Sequence, residues 1–91
     1  MYVLSQKGDI TINVKSTVGF KVEPNEFGKG WEIRTIFPNS TYRIAVYDTE
    51  ERAKEVLQLI LEKYNYITRA LADMNGGNSK IFTCYFEMPK E

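Results

Sequence analysis

Carboxylates are the groups through which this chain could most readily do chemistry. Asp48, Glu50, Glu51 and Glu55 lie close together. Neighbouring carboxylates serve acid–base catalysis when their surroundings drive their pKa values apart. These four, however, sit where a helix should begin. Asp48 is well placed as N-cap, with Glu51 three residues later completing a capping box; Thr49 is the alternative cap. Acidic residues there also face the positive end of the helix dipole. Capping therefore accounts for the cluster without catalysis. The chain has no His and one Cys, Cys84, which excludes ordinary zinc sites and Ser-His-Asp or Cys-His pairs. Cys84, on an apolar strand face, reads as a small core hydrophobe. Gly28 and Gly30 lack the third glycine, the Gly-Lys-Ser/Thr and the following helix of a phosphate loop. No catalytic residue, metal site or cofactor is expected, and the chain reads as a non-enzyme.

Nucleic-acid chemistry needs cations interleaved with aromatics on one face. Lys15, Lys21, Arg34 and Arg43 are the candidates on the outer faces of successive strands, with Tyr47 and Tyr85 nearby. Glu23, Glu32 and Glu87 fall on that same face, and mixed signs are the usual dress of an exposed sheet. Lys plus Arg equals Asp plus Glu, twelve each, so no excess of cations drives the chain toward nucleic acid or an anionic membrane.

The elements that must position these residues follow from periodicity. In a chain of 91 residues a single domain spanning 1–91 is expected. Gly8 suits a tight turn between Met1–Gln6 and the alternating Ile10-Thr11-Ile12-Asn13-Val14-Lys15, which predicts an antiparallel hairpin. Val18, Phe20 and Val22 resume the alternation. Ser16 and Thr17 between them read either as a bulge in one long strand or as a short turn between two, and Gly19 as a bulge or a close backbone approach. The 24–30 loop carries Phe27 at its tip, either folded onto the core or exposed as a contact. In the strand beginning at Trp31, alternation puts Trp31, Ile33 and Thr35 opposite Glu32, Arg34 and Ile36. In the next, Tyr42, Ile44 and Val46 stand opposite Arg43, Ala45 and Tyr47. A last strand, 80–88, puts Phe82, Cys84, Phe86 and Met88 on one face. The fold class is α+β: an antiparallel meander of about four strands plus a C-terminal strand, with one long amphipathic helix packed on one sheet face.

That helix is predicted over 48–74, closed by Asn75-Gly76-Gly77-Asn78. Its stripe is Ala53, Val56, Leu57, Ile60, Leu61, Tyr64, Ile67, Leu71 and Met74. It should meet Ile10, Ile12, Val14, Val18, Phe20, Val22, Ile33 and Ile44. A helix of that length, roughly 39 Å at 1.5 Å per residue, overruns strands of roughly 20 to 23 Å. Either it breaks near Tyr64-Asn65-Tyr66 or it projects beyond the sheet. Leu59, Tyr66 and Ala70, with Lys63 between them, form an apolar minority outside the stripe, either incidental surface or a contact seam. A homodimer built on the C-terminal half of the helix would cover both the overhang and the seam.

Three segments carry a resemblance: the opening Met-Tyr-Val-Leu-Ser-Gln-Lys-Gly-Asp-Ile-Thr-Ile-Asn-Val, the helix start Tyr-Asp-Thr-Glu-Glu-Arg-Ala-Lys-Glu-Val-Leu from Tyr47 to Leu57, and the ending Phe-Glu-Met-Pro-Lys-Glu. Together they resemble a group of small proteins of unknown function from prophages and mobile elements of Gram-positive bacteria. Members often show Leu-Gly before the Tyr-x-Thr segment, where this chain has Ile44-Ala45-Val46. The resemblance implies a small accessory protein acting by protein–protein binding, with a host complex as the target class. The expected contact residues are Phe27, Leu59, Lys63, Tyr66 and Ala70, and the expected partner is another protein or a second copy. The alternative is a nucleic-acid or nucleotide-binding protein using the outer sheet face. No secretory leader or membrane span is read in the sequence, so a cytoplasmic location is expected.

Overall fold

A computed structural model describes residues 1–73 and 85–91 of the chain. The fold is α+β: two three-stranded sheets and one long helix. β1 (Tyr2–Leu4) and β2 (Thr11–Asn13) form the expected antiparallel hairpin. Gly8, at φ 77°, turns its loop, and Ser5 is buried where its hydroxyl donates to Asp9 and accepts from the Ile10 amide. β6 (Tyr85–Glu87) lies parallel to β1 on the hairpin's other side. Val3, Ile12 and Met88 are buried, and Phe86 packs against them.

The chain does not run on from β2 into the next strand. Asn13 accepts the Lys15 amide at 3.1 Å and caps a 3₁₀ turn, Val14–Ser16. Thr17 closes it by donating both its amide and its hydroxyl to the Val14 carbonyl. This is the turn of the two readings open at Ser16 and Thr17. It sends β3 (Gly19–Pro24) into a separate antiparallel meander with β4 (Trp31–Phe37) and β5 (Ser40–Tyr47). The four successive strands are thus divided between two sheets. Ile10 and Val18 flank the excursion and are exposed rather than under the helix, while Val14 is half-buried. A Cβ added at Gly19 would meet nothing within 4 Å, so no close approach explains that glycine.

A bulge sets the faces of the meander. Ile33 pairs with Ala45 and Arg34 with Arg43, leaving Ile44 as the extra residue on β5. Beyond it the alternation inverts. Ala45 and Tyr47 join Trp31, Ile33 and Thr35 on the helix side, and Val46 falls opposite Glu32 on the outer side. Simple alternation places Ala45 and Tyr47 on the outer face; both are buried.

The helix α1 (Glu50–Asp73) runs unbroken through Tyr64-Asn65-Tyr66. Thr49, not Asp48, caps it: the Thr49 hydroxyl accepts the Arg52 amide at 3.1 Å and its carbonyl accepts the Ala53 amide. Asp48 is exposed and the expected box with Glu51 is absent, because the helix starts one residue later than that box requires. Ala53, Val56, Ile60 and Ile67 are buried, and Tyr64 packs against the core. Leu57 is only half-buried and Leu61 is 51% exposed, which narrows the buried stripe. At about 1.5 Å per residue α1 spans about 36 Å, against about 23 Å for β4. It therefore projects past the sheet, as one of the two expectations held. The Leu71 side chain, Met74, the 75–78 helix end, Phe82 and Cys84 lie outside the described residues.

Candidate protein-contact surfaces

At about 100° per residue, the buried line Ala53-Val56-Ile60-Ile67 divides the rest of α1 into two flanks. Leu57, Leu61 and Tyr64 turn to one side, and Leu59, Lys63, Tyr66 and Ala70 to the other. The first flank lies beside the start of β3. With Val14, Val18 and Phe20 it lines an open groove of about 680 Å³. Val18, 70% exposed, and Leu61 form its apolar rim. The sheet order β3-β4-β5 leaves β3 at the edge, and no strand among the described residues pairs with it there. An apolar cleft beside an unpaired strand edge can take an extended segment of another chain, with main-chain bonds for affinity and side-chain pockets for specificity.

The second flank holds the seam expected from the sequence. Leu59 and Tyr66 are exposed, Lys63 and Ala70 half-buried, and the Lys63 ammonium sits 6.0 Å from the Tyr66 ring centre. Phe27, at the tip of the β3–β4 loop, is 86% exposed. Its amide is held by the Asn25 side chain at 3.3 Å. That loop lies at the β5–α1 end of the sheet, because Trp31 pairs with Tyr47. Phe27 therefore belongs to a different part of the surface from the Leu59–Ala70 seam. Gly30 in the same loop, at φ 103°, has an identifiable reason to be glycine: a Cβ there would come within 2.7 Å of the Tyr47 carbonyl oxygen. The demand is steric and concerns packing, not a ligand.

On the outer sheet face the strand register places Lys21 opposite Arg34, and Arg34 opposite Arg43. These three candidate cations form a row, but two carboxylates run beside it. Arg34 bonds Glu32 at 2.9 Å and lies 3.5 Å from Glu23; Lys21 is 3.2 Å from Glu23 and Arg43 is 3.9 Å from Glu32. Glu32 is nearly fully buried within this network. Lys15 stands apart on the 3₁₀ turn. Tyr47 faces the helix side, and Tyr85 and Glu87 belong to the other sheet, so the expected aromatic company is missing from this face.

The carboxylates at the helix start are engaged with cations rather than with one another. Glu50 pairs with Lys54 at 2.6 Å and Glu55 with Arg52. Among the described residues no three His, Cys, Asp or Glu side chains gather as a metal site, and no helix is long and apolar enough to cross a membrane. Among those residues Tyr47 is the one strongly perturbed acid. Burial pushes its hydroxyl up to about 12, against an opposing pull from Arg52. That hydroxyl donates to the Pro89 carbonyl at 2.8 Å, so it serves to fasten the 88–91 segment.

Sequence reasoning missed two features. One is the groove itself, because Leu57 and Leu61 fall in the stripe that periodicity buries. The other is Gln6, whose side-chain amide acts as a one-residue strand on the free edge of β5. It accepts the Val46 amide at 2.9 Å and donates to the Val46 and Lys90 carbonyls at 3.0 and 2.9 Å. Comparison with protein-family models, with curated proteins and with solved structures returned no match to this chain.

Proposed function

We propose that this chain is a non-catalytic protein-binding module, an accessory protein of phage or mobile-element origin that docks its partner on the flank formed by α1 and β3. The observation that carries this reading is the apolar groove between Leu57, Leu61 and the unpaired edge of β3. The sequence resemblance supplies the origin and makes a host complex the target class. The test is quantitative capture from host extract by the wild type, by Leu61→Glu and by the surface control Glu62→Lys. A retained protein that is lost with Leu61→Glu, kept with Glu62→Lys and stable to added salt supports the reading. Identical capture by all three refutes it.

The Lys21-Arg34-Arg43 row favours a second reading, nucleic-acid binding on the outer face. Glu23 and Glu32 already neutralise much of that row, which weighs against it. Oligonucleotide binding that falls steeply with salt and is lost with Arg43→Ala would promote this reading over the first.

A further inference from the structure

The unpaired edge of β3 is self-complementary in one register, and we propose that its occupant is a second copy of this chain, joined antiparallel about Val22. The proposal rests on the reading of the α1/β3 flank as a binding surface and specifies what binds there.

The direction of each main-chain group on β3 follows from the loop. The Asn25 amide donates to the Gly30 carbonyl at 3.0 Å, so residue 25 points its main chain toward β4. Neighbours in a strand alternate. Gly19, Lys21 and Glu23 therefore also face β4, opposite Ile36, Arg34 and Glu32, while Phe20, Val22 and Pro24 present their main-chain groups to the free edge. Pro24 has no amide to offer, and an edge is where a strand tolerates proline. The edge thus carries two donors, Phe20 and Val22, and three acceptors.

A two-fold axis through Val22 uses every donor. Each Val22 amide meets the Val22 carbonyl of the second copy, and each Phe20 amide meets the carbonyl of Pro24 of the second copy. The missing amide of Pro24 leaves one acceptor over on each side of the axis, the Phe20 carbonyl that faces it. On the outer face, Lys21 falls opposite Glu23 of the second copy, twice by symmetry, in the non-hydrogen-bonded positions where side chains come closest. Shifting the axis to Lys21 would also satisfy the donors, but would set Lys21 against Lys21. Charge therefore selects the Val22 register. On the helix face, Phe20 meets Pro24 of the second copy, which covers the Phe20 end of the groove. The two meanders become one six-stranded sheet.

The test is sedimentation equilibrium on the full chain, with Lys21→Glu and Glu23→Lys studied singly, mixed and combined in one chain. The wild type should dimerise. Each single reversal turns two attractive cross-strand pairs into two repulsive ones and should weaken dimerisation roughly tenfold to a hundredfold. Mixing the two single variants should restore a heterodimer. One chain then carries carboxylates at both positions 21 and 23, the other carries ammonium groups at both, and every cross-axis pair is attractive again. The double variant, with the two charges exchanged in one chain, should dimerise like the wild type. A wild type that is monomeric up to millimolar concentration overturns the proposal; the flank reading is then decided separately by the Leu61→Glu capture. A dimer indifferent to both reversals but lost with Tyr66→Ala places the interface on the opposite flank of α1 and overturns it too.

Discussion

Gln6→Met offers a sharp test of how the two sheets are joined. Methionine keeps the length of the side chain and removes its hydrogen bonding. Three bonds disappear: the Val46 amide to Gln6 Oε1 at 2.9 Å, and Gln6 Nε2 to the carbonyls of Val46 at 3.0 Å and Lys90 at 2.9 Å. The main-chain bond from the Gln6 amide to the Ile44 carbonyl, at 2.9 Å, remains and keeps the segment in place. At a net worth of about 1 kcal/mol each, the three bonds contribute about 3 kcal/mol. Releasing the side chain returns about 1 kcal/mol of rotamer entropy, which leaves a net loss of about 2 kcal/mol. For a chain of this size that corresponds to a fall in Tm of about 10 °C. Urea unfolding should show a lower midpoint at unchanged m-value, because the change alters stability and not the surface exposed. Hydrogen exchange should locate the effect, with the Val46 amide losing protection ahead of Ile33 in the sheet interior. A variant within about 0.5 kcal/mol of wild type would mean that water replaces Gln6 without cost. The join would then rest on apolar packing and on the bonds that remain, Gln6 amide to Ile44 carbonyl and Tyr47 hydroxyl to Pro89 carbonyl.

Three further outcomes are expected. Ile60→Ala should cost about 2 to 4 kcal/mol and Leu57→Ala about half as much, because Ile60 is buried whereas Leu57 borders the open groove; equal losses in chemical denaturation would contradict the narrowed stripe. Thr35→Val should stabilise the chain by about 1 kcal/mol, because the Thr35 hydroxyl is buried with no hydrogen-bond partner among the described residues; a loss of similar size would reveal a partner for that hydroxyl. Tyr47 holds its proton up to about pH 12 in the folded chain, against about 10 when unfolded. Its contribution is therefore complete below pH 10 and declines between pH 10 and 12, and Tyr47→Phe should flatten that part of the stability profile. Tyr85, raised chiefly by the Glu87 carboxylate, adds a slope of the same sign that should persist in Tyr47→Phe.

What the sequence made legible is local. Period-two alternation located Ile12 and Ile33, the 3.6-residue period located Ala53, Val56, Ile60 and Ile67, and Gly8 marked the first turn. What it hid depends on partners distant in sequence or on single polar bonds. The division into two sheets turns on one Asn13 side chain accepting the Lys15 amide, which hydropathy does not register. The bulge at Ile44 is invisible on β5 alone, since it is defined only against Ile33 and Arg34 of β4. Leu61 matches the helical period as well as Ile60 does, yet it stays 51% exposed on the rim of the groove. Periodicity gives the direction of a side chain but not the extent of the surface it meets. Of the candidate site, Lys21, Arg34 and Arg43 were anticipated on one outer face and are brought into one row, whereas the β3 edge and its groove follow from strand order, which no local pattern contains.

Strand order also bears on why β3 should be the binding edge rather than β5. Both strands end the same meander, so both would expose unpaired main-chain groups. The edge of β5 is partly closed from within: the Gln6 side chain covers Val46, and the Gln6 amide covers Ile44. The edge of β3 has no such cover among the described residues and lies beside an apolar groove. Pro24 limits which chains can pair there, since any acceptor opposite its missing amide goes unpaired. Lys21 and Glu23 limit them further, since a partner must present opposite charges in the matching order. A generic aggregating strand does not carry that charge order, whereas the same strand reversed about Val22 does, leaving only the Phe20 carbonyl unpaired on each side. In the proposed dimer the charge-coded edge of β3 is used up, and the outermost edges of the joined sheet are those of β5, which Gln6 covers at Ile44 and Val46.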